Sequence, residues 1–294
     1  MKTEETGIAV VTGTSTGIGF AAALELARQG YTVFAGMRDT GKAQALTKAA
    51  EQESLGVTVI PLDVTSAMSS DAAFETILRI GPIDVLVNNA GIGGATPLEL
   101  TPEHEHRAIF ETNYFGAVRC IQAVLPQMRE RRQGTIVNVT SMEGLVAMPN
   151  QIPYSATKWA LECLGEALAH EVFRFNVRVV NIEPGVIMTQ IFDNSTEATR
   201  YDKQSPYQPI MRRNGKMFKA GFDANVQPER VAETIVTAIH SSKYQLRWPV
   251  GDDAEGMFNG RRAIDDEDWV EMGGDLTDED YNRRYQEYFG IRLS

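Results

Sequence analysis

A chain of 294 residues, 43% hydrophobic and 23% charged, has the size and composition of a packed globular fold that needs no disulfide staples. Its 39 acidic against 28 basic residues give a formal net charge of −11, which excludes the positive footprint of a nucleic-acid binder or of a protein drawn to an anionic membrane. No run reaches the ~18 apolar residues of a membrane span and the start from Met1 to Thr6 is polar, so a cytoplasmic protein with no membrane span is expected.

Short apolar runs alternate with longer amphipathic stretches along the chain. Gly7–Thr12 reads as a buried strand, followed by a helix from Gly17 to Gln29 that stops at Gly30. Strands are predicted at Tyr31–Gly36 and Val57–Leu62, a helix at Ala67–Arg79, and a strand at Ile83–Val87. A long helix from about Pro102 to Arg131 leads to a strand at Thr135–Val139. A loop from Ser141 to Ile152 precedes a helix over Pro153–Phe173 and a strand over Val177–Ile182. From Pro184 to Gln227 the pattern is irregular, then Pro228 opens a helix to about Ser241 and Tyr244–Val250 closes the series as a strand.

Strands that are apolar on both faces and alternate with helices make an α/β fold, a doubly wound parallel sheet of about seven strands with helices on both faces. Its ligand site is expected beyond the C-terminal ends of the strands. The pattern puts one domain at residues 1–250, with a long polar and basic loop at about 190–225 as lid or binding loop. Residues 251–294 form an acidic extension, expected to pack on the same domain. Its charge run Asp265-Asp266-Glu267-Asp268 reads as solvated surface, and Thr277 with Asp280 as a helix cap. Cys120 and Cys163 fall in helical segments and read as small reduced core residues. His104 and His106 lie two apart on a helix and point apart, so no metal site is expected.

The first strand ends in Thr12-Gly13-Thr14-Ser15-Thr16-Gly17-Ile18-Gly19 and runs straight into a helix. Glycines there permit a tight turn, and the helix N-terminus offers free N–H groups and partial positive charge to a pyrophosphate. At the end of the second strand, where an acid would accept the hydroxyls of an NAD ribose, stand Met37, Arg38 and Asp39. Arg38 offers a planar fork of donors to a 2′-phosphate, which favours NADP(H). Asp39 leaves NAD(H) open, because it can neutralise Arg38 or reach the ribose itself.

Tyr154-Ser155-Ala156-Thr157-Lys158 opens the helix after the Ser141 loop, and residues four apart share a helical face. A phenol titrates near ~10, and a nearby ammonium favours its phenolate, so the pair makes an acid–base group for a hydroxyl or ketone oxygen.

With Asp63-Val64, Asn88-Asn89-Ala90-Gly91, Asn113, Ser141 and Pro184-Gly185 in the same order, the set resembles the short-chain dehydrogenase/reductase family over residues 7–250. The resemblance implies a Rossmann-type fold and roles by position. Tyr154 would be the general acid or base, Lys158 would lower its pKa and bond the nicotinamide ribose, Ser141 would steady the substrate oxygen, and Asn113 would hold a relay water. Gly13, Thr14, Ser15, Thr16, Gly17, Ile18 and Gly19 would cradle the pyrophosphate, with Arg38 at the adenosine phosphate. Asp63 and Val64 would frame the adenine, and Asn89, Ala90 and Gly91 would pack beside the adenosine. Pro184, Gly185, Ile187 and Thr189 would line the nicotinamide side.

The implied activity is interconversion of a secondary alcohol and a ketone with NADP(H), by a homodimer or homotetramer that binds a small-molecule alcohol or ketone. Met142, Leu145, Val146, Met148, Ile191, Phe192, Met211 and Phe218 offer walls for a lipophilic substrate or else merely pack the lid, and the Met37-Arg38-Asp39 pattern resembles steroid- or retinoid-type dehydrogenases of the family. Two other readings stand beside it: a redox sensor that binds dinucleotide without turnover, and a reductase of an activated double bond. The full set of acid–base residues weighs against the first, and the four-residue Tyr–Lys spacing against the second.

Overall fold

The computed structural model describes residues 6–189 and 204–293. Seven strands form one sheet in the order β3-β2-β1-β4-β5-β6-β7, all neighbours parallel. They are β1 (Gly7–Thr12), β2 (Tyr31–Met37), β3 (Val57–Pro61), β4 (Ile83–Asn88), β5 (Gly134–Val139), β6 (Val177–Pro184) and β7 (Arg247–Val250). The strand order reverses between β1 and β4, and the switch opens a crevice at their carboxyl ends.

Alternation along each strand sorts the core into two layers. From β1, Ala9 and Val11 pack with α1 (Gly17–Arg28), with Leu46 and Ala50 of α2 (Gln44–Gln52), and with α8 (Pro228–His240). Val10 points the other way, to α3 (Ala67–Leu78), α5 (Gly116–Arg131) and α6 (Ile152–Val172).

On that second face three buried asparagines stand in register on β4, β5 and β6. The Asn88 amide donates to Asn138 at 3.0 Å, Asn138 to Asn181 at 3.2 Å, and Asn181 to the Glu162 carboxylate of α6 at 2.8 Å.

The structure corrects the predicted elements at four places. Helix α2 was hidden because only two of its residues, Leu46 and Ala50, are buried. The long helix contains a π-helical turn, Glu111–Phe115, between α4 (Glu103–Phe110) and α5. Within the expected irregular loop, residues Gln208–Ala224 form a helix, α7, whose buried residues are Met211, Arg213, Asn214, Met217 and Gly221; the polar pair Arg213 and Asn214 broke the apolar signal. The remainder of that loop at 190–203, with Ile191 and Phe192, lies outside the described residues.

The fourth correction concerns the acidic extension, which holds three helices: α9 (Asp252–Ala263), α10 (Asp266–Glu271) and α11 (Asp278–Phe289). Tyr281, Tyr285, Phe289 and Leu293 share one apolar cluster with Met142, Val146, Met148, Val186 and Met217. Its acids meet the basic residues of α7: Asp278 accepts from Arg212 and, at 3.3 Å, from Lys216. These bonds hold the Asp278 carboxyl down at about 2. Thr277 caps α11 through the Asp280 N–H as its spacing predicts. Of the two cysteines, Cys120 is buried and its thiol is pushed up to about 12 by desolvation, whereas Cys163 is exposed on α6.

Candidate active site

A cleft of about 490 Å³ opens at the switch point. Gly13, Ser15, Thr16, Gly17 and Ile18 line its floor. Gly17 has φ +60°, a left-handed conformation that a side chain would strain. Thr16 caps α1 without a side-chain hydrogen bond, which leaves first-turn N–H groups to face a phosphate. Gly19 lies beneath the floor instead: a Cβ there would stand 2.3 Å from the Gly13 carbonyl oxygen. Thr14 is fully buried and donates its hydroxyl to Gly36 O at 3.1 Å. Both shape the loop rather than line the cleft.

At the end of β2, Arg38 is exposed on the cleft wall, and among the described residues it forms no ion pair. The Asp39 carboxylate is spent on its own turn, accepting from the Gly41 N–H at 2.9 Å. Among the described residues Asp39 forms no ion pair with Arg38, and it is not one of the side chains lining the cleft. Lys42, which the sequence reading missed, stands on the same wall, one turn past Arg38. Its signal was available: a second cation four residues after the first.

Asp63 and Val64 line the neighbouring wall, with Asp63 accepting from the Thr65 hydroxyl at 2.7 Å. Asn89, Ala90 and Gly91 follow β4 into the cleft, and the Asn89 amide donates to Thr12 O at 2.9 Å and Gly13 O at 3.1 Å, so it pins the phosphate loop. Pro184, Gly185, Ile187 and Thr189 close the far side. Asp253 of the extension holds that strap by accepting the Val186 N–H at 2.7 Å.

Ser141, Tyr154 and Lys158 meet at the cleft's inner end. Tyr154 is half-buried and Lys158 buried, with the ammonium 5.5 Å from the centre of the phenol ring and donating to Val139 O at 2.9 Å. Burial pulls Lys158 down to about 8. Burial and the charge of Glu143 push the Tyr154 phenol upward, with Ser141 working the other way. A phenol held in its protonated form is a proton donor to a carbonyl oxygen placed beside it. Asn113 stays behind the wall: it accepts from Ile92 N at 2.8 Å and donates to Ile92 O and to the Thr157 hydroxyl. The π-helical turn aims it inward, as such turns often do at functional sites.

Residues 7–200 match the family model of short chain dehydrogenases. The chain belongs to that family. It is 37% identical to human retinol dehydrogenase 8 over 255 residues, 81% of this chain and 79% of that relative. It is 33% identical to 3-ketodihydrosphingosine reductase of Bacteroides thetaiotaomicron, covering 85% of this chain and 90% of the relative. The solved structure of a single-site variant of actinorhodin polyketide ketoreductase with NADPH superposes with a TM-score of 0.76 at 27% identity, covering 88% of this chain and all of that one. A short-chain dehydrogenase of this kind is an oxidoreductase that acts on CH–OH or ketone groups with a nicotinamide dinucleotide. The glycine floor, the open N–H groups and the strand-end pocket fit such a dinucleotide. No helix among the described residues is long and apolar enough to cross a membrane.

Proposed function

We propose that the protein reduces a lipophilic ketone to a secondary alcohol with NADPH, and catalyses the reverse with NADP+, using Tyr154 as acid or base. The observation that carries this reading is the convergence of Tyr154, Lys158 and Ser141 at the inner end of the glycine-floored cleft. Bound nicotinamide dinucleotide supplies or accepts the hydride at the carbonyl carbon. The protein's own residues manage the oxygen. Ser141 steadies it, Tyr154 gives it a proton during reduction and takes one back during oxidation, and Lys158 answers with its positive charge. Asn113, fixed by three hydrogen bonds, positions the path behind Lys158.

The NADP(H) preference is supported by Arg38 and Lys42 side by side where a 2′-phosphate would lie, and by Asp39 being engaged elsewhere. The lipophilic substrate is supported by two relatives whose names specify a retinoid and a sphingoid ketone. Three of the eight side chains expected to wall that substrate have another use, because Met142, Val146 and Met148 are buried in the apolar cluster shared with the extension. The same reading treats residues 1–250 as the catalytic domain and 251–294 as its cover, which the shared apolar cluster supports. It also includes self-association, supported by Phe115 at 46% and Trp159 at 49% exposure on adjoining helical segments.

The test is ketone reduction across a graded apolar series, with NADPH, by the protein and by Tyr154→Phe. Turnover that falls ~10²–10⁴-fold in the variant with NADPH affinity unchanged is expected; retained turnover overturns the role of Tyr154.

A further inference from the structure

A buried carboxylate sits where this chemistry does not require one. Glu143 lies in the short turn Met142–Gly144, two residues after Ser141, and is 3% exposed. Its backbone N–H donates to the Ser141 hydroxyl at 3.1 Å. Its side chain accepts from the Ser155 hydroxyl at 2.6 Å, and Ser155 adjoins Tyr154 in the first turn of α6. The Ser155 oxygen in turn accepts from Met148 N at 3.3 Å. One residue thus clamps the loop that carries Ser141 to the helix end that carries Tyr154.

The groups facing Glu143 come from every element around it. From α6 come Tyr154 and Lys158, and Glu162 packs against the adjoining Gly144. From the loop comes the neutral amide of Gln151, and from α11 the buried phenol of Tyr285. Asp253, on α9, acts on Tyr285 and not on Glu143. Lys158 is therefore the one cation among the groups that act on Glu143, and the α6 N-terminus adds a favourable dipole for a carboxylate. A negative charge so placed must raise the proton affinity of its phenol and ammonium neighbours.

We propose that Glu143 is a positioning residue whose buried carboxylate, held by Ser155, keeps the proton on Tyr154 and so suits the site to carbonyl reduction at neutral pH. Desolvation raises Glu143 itself to about 7, with Ser155 and Lys158 opposing, so that its charge is present above neutrality and fades below it. The inference rests on the reading of Tyr154 as the acid–base group.

The experiment is a spectrophotometric titration of the Tyr154 phenol in the NADP+ complex, isolated by subtracting the signal of Tyr154→Phe. It is run in the protein, in Glu143→Gln and in Glu143→Asp. The glutamine keeps an acceptor for Ser155 but removes the charge, so the Tyr154 midpoint is expected to fall by roughly one pH unit. The aspartate keeps the charge and is expected to hold the midpoint near that of the unaltered protein. Should the glutamine variant not fold, Glu143→Met removes the charge at matching length and gives the same reading. An unmoved midpoint in a folded neutral variant overturns the proposal and leaves Glu143 as a clamp alone. Retained turnover by Tyr154→Phe overturns the function reading instead, and the titration separates the two because it requires no substrate.

Discussion

The Arg213 guanidinium lies 4.5 Å from the centre of the Tyr281 ring, which ties α7 to the last helix of the acidic extension. The same side chain, 4% exposed, donates to the carbonyls of Gly274 at 3.3 Å and Leu276 at 2.6 Å. A cation that looked like part of a basic loop is thus a core residue of the C-terminal cover.

Replacing it tests that arrangement. Arg213→Met keeps the length of the side chain but leaves the carbonyls of Met272, Gly274 and Leu276 without this donor, at a cost of about 1–3 kcal/mol. Urea denaturation should show that loss. Limited proteolysis should show faster cleavage near residues 272–277, while cleavage within the sheet is unchanged. Equal stability and equal cleavage would mean that the extension is held by its apolar cluster alone.

Arg38 governs the choice of cofactor if it meets a phosphate. A charge-assisted hydrogen bond of this kind is worth about 1.5–3 kcal/mol, so Arg38→Ala should weaken NADPH binding roughly 10- to 150-fold. NADH binding should hardly change. Nicotinamide fluorescence titrations with both cofactors, on both proteins, decide it. A loss shared equally by the two would remove the phosphate reading.

Glu183 and Glu162 are buried together, with Arg247 at 3.0 Å from Glu162 and 3.5 Å from Glu183. Desolvation first, then the charge of Glu162, pushes the Glu183 carboxyl up to about 8, against the pull of Arg247. A folded-state pKa raised above the ordinary 4.5 means that the folded protein binds the extra proton. The stabilisation is full below 4.5 and is lost as pH rises towards 8. Glu183→Gln stays neutral throughout, so its stability should fall less across that window, by about 1–3 kcal/mol. Thermal denaturation at pH 5 and pH 8 measures the difference; parallel loss in both proteins would place the charge elsewhere.

Self-association through the π-helical turn and α6 predicts that Trp159→Glu lowers the oligomeric state, because a charge would be buried unpaired at the contact. Sedimentation velocity on both proteins reads this out. An unchanged sedimentation coefficient, or a monomer to begin with, would count against that surface.

What the sequence made legible were the parts built from local chemistry. The glycine turn before α1, the Tyr154–Lys158 spacing on α6 and the apolar strands each carry their reason within a few residues. What it concealed depended on distant partners. Arg213 and Asn214 fill inward positions on α7, and the hydrogen bonds they donate there go to carbonyls of distant residues, Pro149, Met272, Gly274 and Leu276. Asp253 reads as solvated acid until the Val186 N–H is beside it. Asn113 gave no hint of the π-helical turn that orients it, since that extra residue per turn leaves no periodic trace in so short a stretch. Glu143 stands two residues after Ser141 in the sequence, yet its bond to Ser155 twelve residues away belongs to the fold.

The row of amides across β4, β5 and β6 acts as a tooth on a gear. Sliding any one of these strands by a single residue would carry its asparagine through to the opposite face, among alanines and valines, and strand the neighbours' amides. Each buried group left so costs about 1–3 kcal/mol, far more than a slipped apolar pair. Valine and isoleucine interchange readily along these strands and would mesh at several offsets. The asparagines mesh at one, and so the three strands beneath the catalytic loops can assemble in a single alignment.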